Sequence, residues 1–364
     1  MALRPPRMVR AGVSLALASV AIYACATYTM GKPLDDYTMG SIVFGNMVFN
    51  MLLLGCLTDP IRDFRYVRDP TPLTDKPVYA RIWDAFCIIR NWRLIGMNVQ
   101  VANVRPPFKG TRRQFLLQAI RRIVLNFLVF DMLMAFVHTH HHLYLADTAH
   151  LHYPPGPVGY LKHSACTAVH MLSSYFSLNC VYLIISLLAV ASGLWRPEDW
   201  PDLFGPVSEA YTVRHLWGRV WHQLLRRHFS RWGKLMVQTL HIPRCTWLSS
   251  QVQVHVAFLL SGLLHCCGDL MLDREYLGRS LPFFLLNGLA ITLEDTVIAL
   301  AKRLGFAKSI PLMAQRILGY LWVYVWMTYS VGIYTTFMWE VKMPVDDPIP
   351  PGYSPIRSFI IPIM

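Results

Sequence analysis

Charge is scarce in this sequence. Only 15% of its 364 residues are Asp, Glu, Lys or Arg, whereas 54% are hydrophobic. Soluble domains carry about 25% charged residues, so two soluble domains, for which the length would suffice, are excluded. Paired cysteine spacing is missing too. Cys25, Cys56, Cys87, Cys166, Cys180, Cys245, Cys266 and Cys267 form no ligand-like or disulfide-like pattern, and several fall in apolar runs, where a thiol behaves as a small hydrophobe. Neither a disulfide framework nor a zinc site is expected. No internal repeat is visible, which speaks against a secondary transporter built from inverted halves.

What charge there is has one sign in excess. The net charge of +13 would suggest a nucleic-acid partner in a soluble protein. Here the Lys and Arg residues lie between apolar runs, as the positive-inside rule and anionic headgroups require, so no nucleic-acid partner is expected and the lipid bilayer is. The apolar runs cover residues 12–29, 42–57, 123–137, 165–194, 248–267, 282–300 and 318–339. Arg4, Arg7 and Arg10 precede the first, whose length suits a retained signal anchor better than a cleaved leader. Segments 59–113 and 195–247 are basic and are assigned to the cytoplasm. Residues 138–160 hold no Lys or Arg and are assigned to the lumen.

The expected fold is all-α: a polytopic integral membrane protein with about seven to nine transmembrane helices. Its N-terminus would be cytoplasmic and residues 1–364 would form one domain, in the endoplasmic reticulum. The count rises above seven if the overlong run 165–194 is broken or residues 301–310 re-enter the membrane. Residues 78–94 place aromatic and aliphatic side chains at helical spacing against Arg81, Asp84, Arg90 and Arg93, which predicts a helix lying in the interface.

Ionisable residues inside apolar runs are costly and are therefore candidates for chemistry. His265 comes first. It sits in F-L-L-S-G-L-L-H-C-C-G, where Ser261 and Gly262 allow a helix or ligand to approach. A buried imidazole is held neutral, the state a general base needs. The competing reading is a histidine that bonds a neighbouring helix. The stretch R-H-L-W-G-R-V-W-H-Q, residues 214–223, is basic and rich in tryptophan. Drawn as a helix, it puts Trp217, Trp221, Leu224 and Leu225 on one side and Arg219, Gln223, Arg226 and Arg227 mostly on another, with His222 at the border. An interfacial helix without a catalytic role competes with that reading. Glu294 and Asp295 interrupt the sixth run and demand a partner, such as Lys302 or Arg303, or a cavity; Asp131 in the third run is a similar case.

A different chemistry is suggested by His138, His141 and His142, with His150 and His152 nearby. The H-x-x-H-H spacing is that of membrane di-iron oxygenases. Such sites need several boxes on one side of the membrane. No comparable second box is found, so a polar loop is favoured over a metal-dependent oxygenase and no metal is expected.

W-G-R-x-W-H-Q followed by an apolar helix with S-G-L-L-H resembles the wax synthase-like branch of the membrane-bound O-acyltransferases, in particular its fungal acetyltransferases of terpenoid and meroterpenoid alcohols. Residues 91–98, N-W-R-L-I-G-M-N, resemble that family more loosely. The resemblance implies an acyl-CoA-dependent O-acyltransferase of secondary metabolism in which His265 is the catalytic base. His222 stands where plant wax synthases have asparagine. Acetyl-CoA would be a co-substrate, with no bound cofactor, and the acceptor a hydrophobic small-molecule alcohol. Trp217, Arg219, Trp221, Gln223, Arg226 and Arg227 would meet the CoA, its phosphates attracting the arginines, Arg231 and Lys234 among the candidates. His222 and Gln223 would orient the thioester or stabilise its oxyanion. Ser261 and Glu294 would line the acceptor cavity. A long-chain wax-ester synthase is the alternative with the same residues.

Overall fold

The computed structural model describes residues 5–69, 71–146, 153–346 and 348–360. Its long elements are all helices: α1 (Arg7–Thr27), α2 (Pro33–Leu57), α3 (Val78–Arg90), α4 (Arg112–Thr139), α5 (Pro157–Ala191), α6 (Arg226–Thr239), α7 (Trp247–Leu272), α8 (Leu281–Arg303) and α9 (Leu312–Glu340). Among the described residues the β structure is a single antiparallel bridge between Tyr66 and Met97. This is the all-α, polytopic architecture expected of an integral membrane protein.

Local chemistry sets the helix ends. The α4 N-terminus carries a reciprocal cap in which Thr111 Oγ1 accepts from the Gln114 N–H and Gln114 Oε1 accepts from the Thr111 N–H. Proline opens α2, α5 and α8, where its missing N–H costs nothing. Thr246 caps α7 by accepting from Ser249 N–H.

Six helices, α1, α2, α5, α7, α8 and α9, are long and apolar enough to cross a membrane. The 28-residue α4 has the length as well, but four arginines occupy its first half (Arg112, Arg113, Arg121 and Arg122) and Asn126 and Asp131 are buried in its second. The run 165–194 belongs to one unbroken helix, α5, whose 35 residues span about 52 Å at 1.5 Å per residue, well beyond a ~30 Å hydrocarbon core. Within residues 301–310, α8 ends at Arg303, Gly305 turns with φ +81°, and the short helix Phe306–Ser309 follows, so nothing there is long enough to re-enter.

The chain forms two compact units, Met1–Gly31, Asp35–Val104 and Val207–Ile317 in one, and Lys32–Leu34, Arg105–Pro206 and Leu318–Met364 in the other. In the first, α7 is central and packs on α2, α6 and α8. Leu54, Phe64, Ile88, Leu94 and Met97 form a core in this unit, and α3 buries Cys87 and Ile88 while Tyr79, Ile82, Trp83 and Phe86 are exposed. In the second, α4 packs along α5 around Phe115, Ala119 and Val190. There Asp131 finds the partner that its burial demands: it accepts from Ser354 Oγ at 2.5 Å and from Ile356 N–H at 2.9 Å.

Candidate active site

His265 lies seven residues from the end of α7, in the first unit, and is partly buried. Phe284 of α8 stacks on its ring at 4.6 Å between centroids, and Tyr37 of α2 lies at 6.0 Å in a similar orientation. The Tyr37 hydroxyl is 3.1 Å from His265 Nδ1 and 2.9 Å from Ser280 Oγ. Ser280 Oγ donates to Asp269 Oδ1 at 2.5 Å, and Asp269 Oδ2 accepts the N–H groups of Ser280 at 2.9 Å and Gly278 at 3.2 Å. Asp269 and Ser280 are fully buried.

Close backbone contact makes this possible. A Cβ at position 40 would stand 2.4 Å from the Cys267 carbonyl oxygen, and one at position 268 would stand 2.8 Å from the Tyr37 carbonyl oxygen. Two glycines therefore let α2 and α7 touch where Tyr37 reaches His265. Gly262 does the same for α8, since a Cβ there would meet Leu281 at 2.5 Å. Ser261, one turn before His265, shares its side of α7.

The tryptophan-rich stretch is not the single amphipathic helix that its spacing suggests. One helical turn, Val213–His215, runs into a wide turn at Leu216–Val220 and stops; Trp221 is extended, and α6 starts only at Arg226. The reason is that side chains satisfy the main chain better than a continued helix would. Gln223 is buried and gives both amide hydrogens away, to the carbonyls of Trp217 at 3.0 Å and Trp221 at 2.6 Å. Arg226 donates to the Gly218 carbonyl at 2.8 Å and to Gln223 Oε1 at 2.6 Å. His222 is thereby carried on a loop, close enough to His265 for charge on one ring to act on the other. Burial, helped by the positive charge of Arg93, pulls the His222 pKa down to about 4 and keeps its ring neutral.

Helix α8 holds this loop from the other side. Both Glu294 oxygens accept main-chain N–H groups, from Val213 at 2.7 Å and Arg214 at 3.2 Å. Arg214 forks onto Asp295, with Nε at 3.0 Å from Oδ1 and a terminal nitrogen on Oδ2, and Gln251 of α7 reaches the same Oδ2 at 2.6 Å. Trp217 Nε1 donates to Asn287 Oδ1 at 2.9 Å, while its ring meets Phe258 and Phe283 edge-on. The partners expected for Glu294 and Asp295 were Lys302 or Arg303 or a cavity; the residues found include Arg214 of the motif, Val213 just before it and Gln251 of α7.

The basic residues divide by environment. Arg219 is half exposed and pairs with Glu209 at 2.9 Å. Arg227 is buried, donates to the Ile88 carbonyl at 2.8 Å and to Asn50 Oδ1, and has its pKa lowered to about 10 by that burial. Arg93, in the second stretch that resembles the acyltransferases, is buried and acts electrostatically on His222. Asn103, beyond that stretch, donates from Nδ2 to the Gly218 carbonyl at 2.7 Å.

Tyr37, Ser280, Asp269 and Asn287 were not singled out in the sequence. Asp269 lies just past the apolar run 248–267, and α7 continues to Leu272 and buries it. Its spacing of four from His265, which puts both on one helix face, was the available signal. In the histidine cluster, His140 stacks on Phe136 at 4.5 Å and His141 Nδ1 lies 3.3 Å from the His138 carbonyl. Among the described residues no three His, Cys, Asp or Glu side chains are grouped to hold a metal, and His150 and His152 lie outside those residues.

Residues 200–286 match the membrane bound O-acyl transferase family. The match encloses His222, His265, Asp269 and Ser280, whereas Tyr37 and Glu294 lie beyond it. The chain is an acyltransferase whose matched segment is similar to the membrane-bound O-acyltransferases. More particularly, it is similar to fungal acetyltransferases. It is 29% identical over 320 residues to acetyltransferase eriL of Hericium erinaceus (86% of this chain and 80% of that one). It is also 29% identical over 320 residues to acetyltransferase ple2 of Rhodocybe pseudopiperita (85% and 81%). With acetyltransferase sirH of Leptosphaeria maculans it shares 30% identity over 275 residues (73% and 65%). No solved structure matches the chain.

Proposed function

We propose that this enzyme transfers an acetyl group from acetyl-CoA to a hydroxyl of a hydrophobic small molecule, a terpenoid or meroterpenoid alcohol, in secondary metabolite biosynthesis. The observation that carries the reading is the juxtaposition of two imidazoles, His265 on an apolar helix and His222 on a loop braced by Glu294, Trp217 and Gln223. The acetyltransferase names of the relatives above support the acetyl donor.

His265 takes the acceptor's hydroxyl proton as the alcohol oxygen attacks the thioester carbonyl. The tetrahedral intermediate then expels the CoA thiolate, which recovers the proton from His265 as CoA thiol; alcohol and acetyl-CoA thus become acetate ester and CoA. His222 donates a hydrogen bond to the developing oxyanion or orients the thioester. Gln223, with both amide hydrogens given to carbonyls, shapes the loop that presents His222. Arg219, exposed where Arg226 and Arg227 are not, is suited to meet a CoA phosphate, while Arg226 and Arg227 serve that contact by holding the loop and the start of α6. Ser261 and Phe284 flank the base on the acceptor side. The protein would sit in the endoplasmic reticulum with its N-terminus and residues 195–247 facing cytosolic acetyl-CoA.

Membranes containing the enzyme, given labelled acetyl-CoA and a panel of terpenoid alcohols, should form labelled ester, and His265→Ala should abolish this at equal expression. Wild-type membranes that acetylate no terpenoid alcohol, or a fully active His265→Ala, would overturn the proposal.

A further inference from the structure

The chain Asp269–Ser280–Tyr37–His265 has a direction that hydrogen counting reveals. Asp269 accepts two main-chain N–H groups and one hydroxyl. The single Ser280 hydroxyl hydrogen therefore goes to Asp269 Oδ1. At the 2.9 Å contact between Tyr37 and Ser280, Tyr37 must then be the donor, because Ser280 has no hydrogen left to give. With the Tyr37 hydrogen used, its oxygen can only accept at the 3.1 Å contact with His265, so the proton sits on Nδ1. Nε2 is left as the nitrogen with the lone pair.

We infer that Asp269, Ser280 and Tyr37 are positioning residues that lock His265 in the Nδ1–H tautomer and stabilise its imidazolium once Nε2 has taken the acceptor's proton. This rests on His265 being the base proposed above. The logic is that of a buried carboxylate orienting a catalytic imidazole, extended here through two hydroxyls. The acceptor's proton moves to Nε2 and later to the CoA thiolate. The Nδ1 proton stays in place, and the charge on the ring is met by the polarised hydroxyls that lead to the carboxylate. The three helices that meet here, α2, α7 and α8 with its preceding turn, contribute Tyr37, then Asp269 and His265, then Ser280.

Three readouts test this. Tyr37→Phe, which removes one oxygen, and Asp269→Asn, which removes one charge, should each lower kcat by about 10-fold or more, with KM for acetyl-CoA little changed. The double variant should be no worse than the poorer single one, since the residues act as a unit. The readout independent of turnover is 15N NMR of histidine-labelled enzyme in lipid nanodiscs, with the His265 signals identified by their loss in His265→Ala. The wild type should show a protonated Nδ1 and a bare Nε2, and Tyr37→Phe should mix the tautomers. If Asp269→Asn does not fold, the Tyr37→Phe kinetics and spectrum decide alone. An inactive His265→Ala beside a Tyr37→Phe with wild-type kcat, or an Nε2–H tautomer in the wild type, overturns the orienting chain and leaves the base in place. An active His265→Ala overturns the base.

Discussion

The Glu294 carboxylate accepts the N–H of Val213 at 2.7 Å, and its second oxygen takes the N–H of the next residue. A carboxylate in an apolar helix is thus used to anchor the start of the loop that carries Trp217 and His222. The negative charge also suits the first turn of the Val213–His215 helix, whose N–H groups it meets. Charge-assisted hydrogen bonds of this kind contribute about 1.5–3 kcal/mol each. Glu294→Gln keeps one acceptor and replaces the other with a donor facing a donor. It should lower thermal stability and reduce kcat more than it changes KM, measured by thermal shift in detergent and by steady-state acetylation kinetics.

His222 is held neutral, so it can act by hydrogen bonding without titrating across the physiological range. Asparagine supplies a similar donor from a shorter side chain. His222→Asn is therefore expected to keep activity within about 10-fold of wild type, and His222→Ala to lose about 100-fold, the range associated with an oxyanion donor. Equal losses in the two variants would assign His222 a role that needs the imidazole itself.

Gly268 faces the Tyr37 carbonyl and ring, and a methyl group there would lie 2.8–3.1 Å from three of their atoms. Gly268→Ala must move α2 away from α7, at an overpacking cost of about 1–3 kcal/mol. Because the same contact brings Tyr37 to His265, kcat should fall even at temperatures where the variant remains folded. Gly12→Ala, at a position with open space around it, is the matched control and should leave activity unchanged.

Acid should destabilise the first unit. His228 is fully buried beside Phe49, with neither ring nitrogen hydrogen-bonded among the described residues, and burial followed by the Arg227 charge brings its pKa to about 3. With His222 near 4, both rings bind protons more readily in the unfolded chain, at about 6.5. Their contribution makes stability rise with pH over this range: the full value is present above about 6.5 and is lost as pH falls toward 4. The melting temperature should drop across that window, and His228→Leu, which removes one of the two groups, should make the drop shallower.

The preferred acyl donor length is open to direct measurement. A series from acetyl-CoA to palmitoyl-CoA with one alcohol acceptor should show kcat/KM falling as the chain lengthens, whereas a rise would identify wax-ester synthesis instead.

Much of this was legible along the chain. Apolar runs located α1, α2, α5, α7, α8 and α9, because hydrocarbon selects for apolar length and little else. The W-G-R-x-W-H-Q and S-G-L-L-H stretches identified His222 and His265, because a histidine amid apolar residues is conspicuous. The helix drawn through residues 214–225 failed for an equally physical reason. Periodicity describes where side chains would point on a helix, and it does not weigh Gln223 and Arg226 as competing hydrogen-bond donors to the main chain.

Sequence alone was sufficient for the class of enzyme and the membrane embedding, since each depends on local composition or on a short motif. The partners of His222 and His265 could not be read in the same way. Tyr37 lies 228 positions from His265, between the first two apolar runs. It became a neighbour only because Gly40 and Gly268 let two helices meet backbone to backbone. Hydrogen bonds act over about 3 Å of space whatever the separation along the chain, so folding was needed to connect Asp269 through Ser280 and Tyr37 to the base.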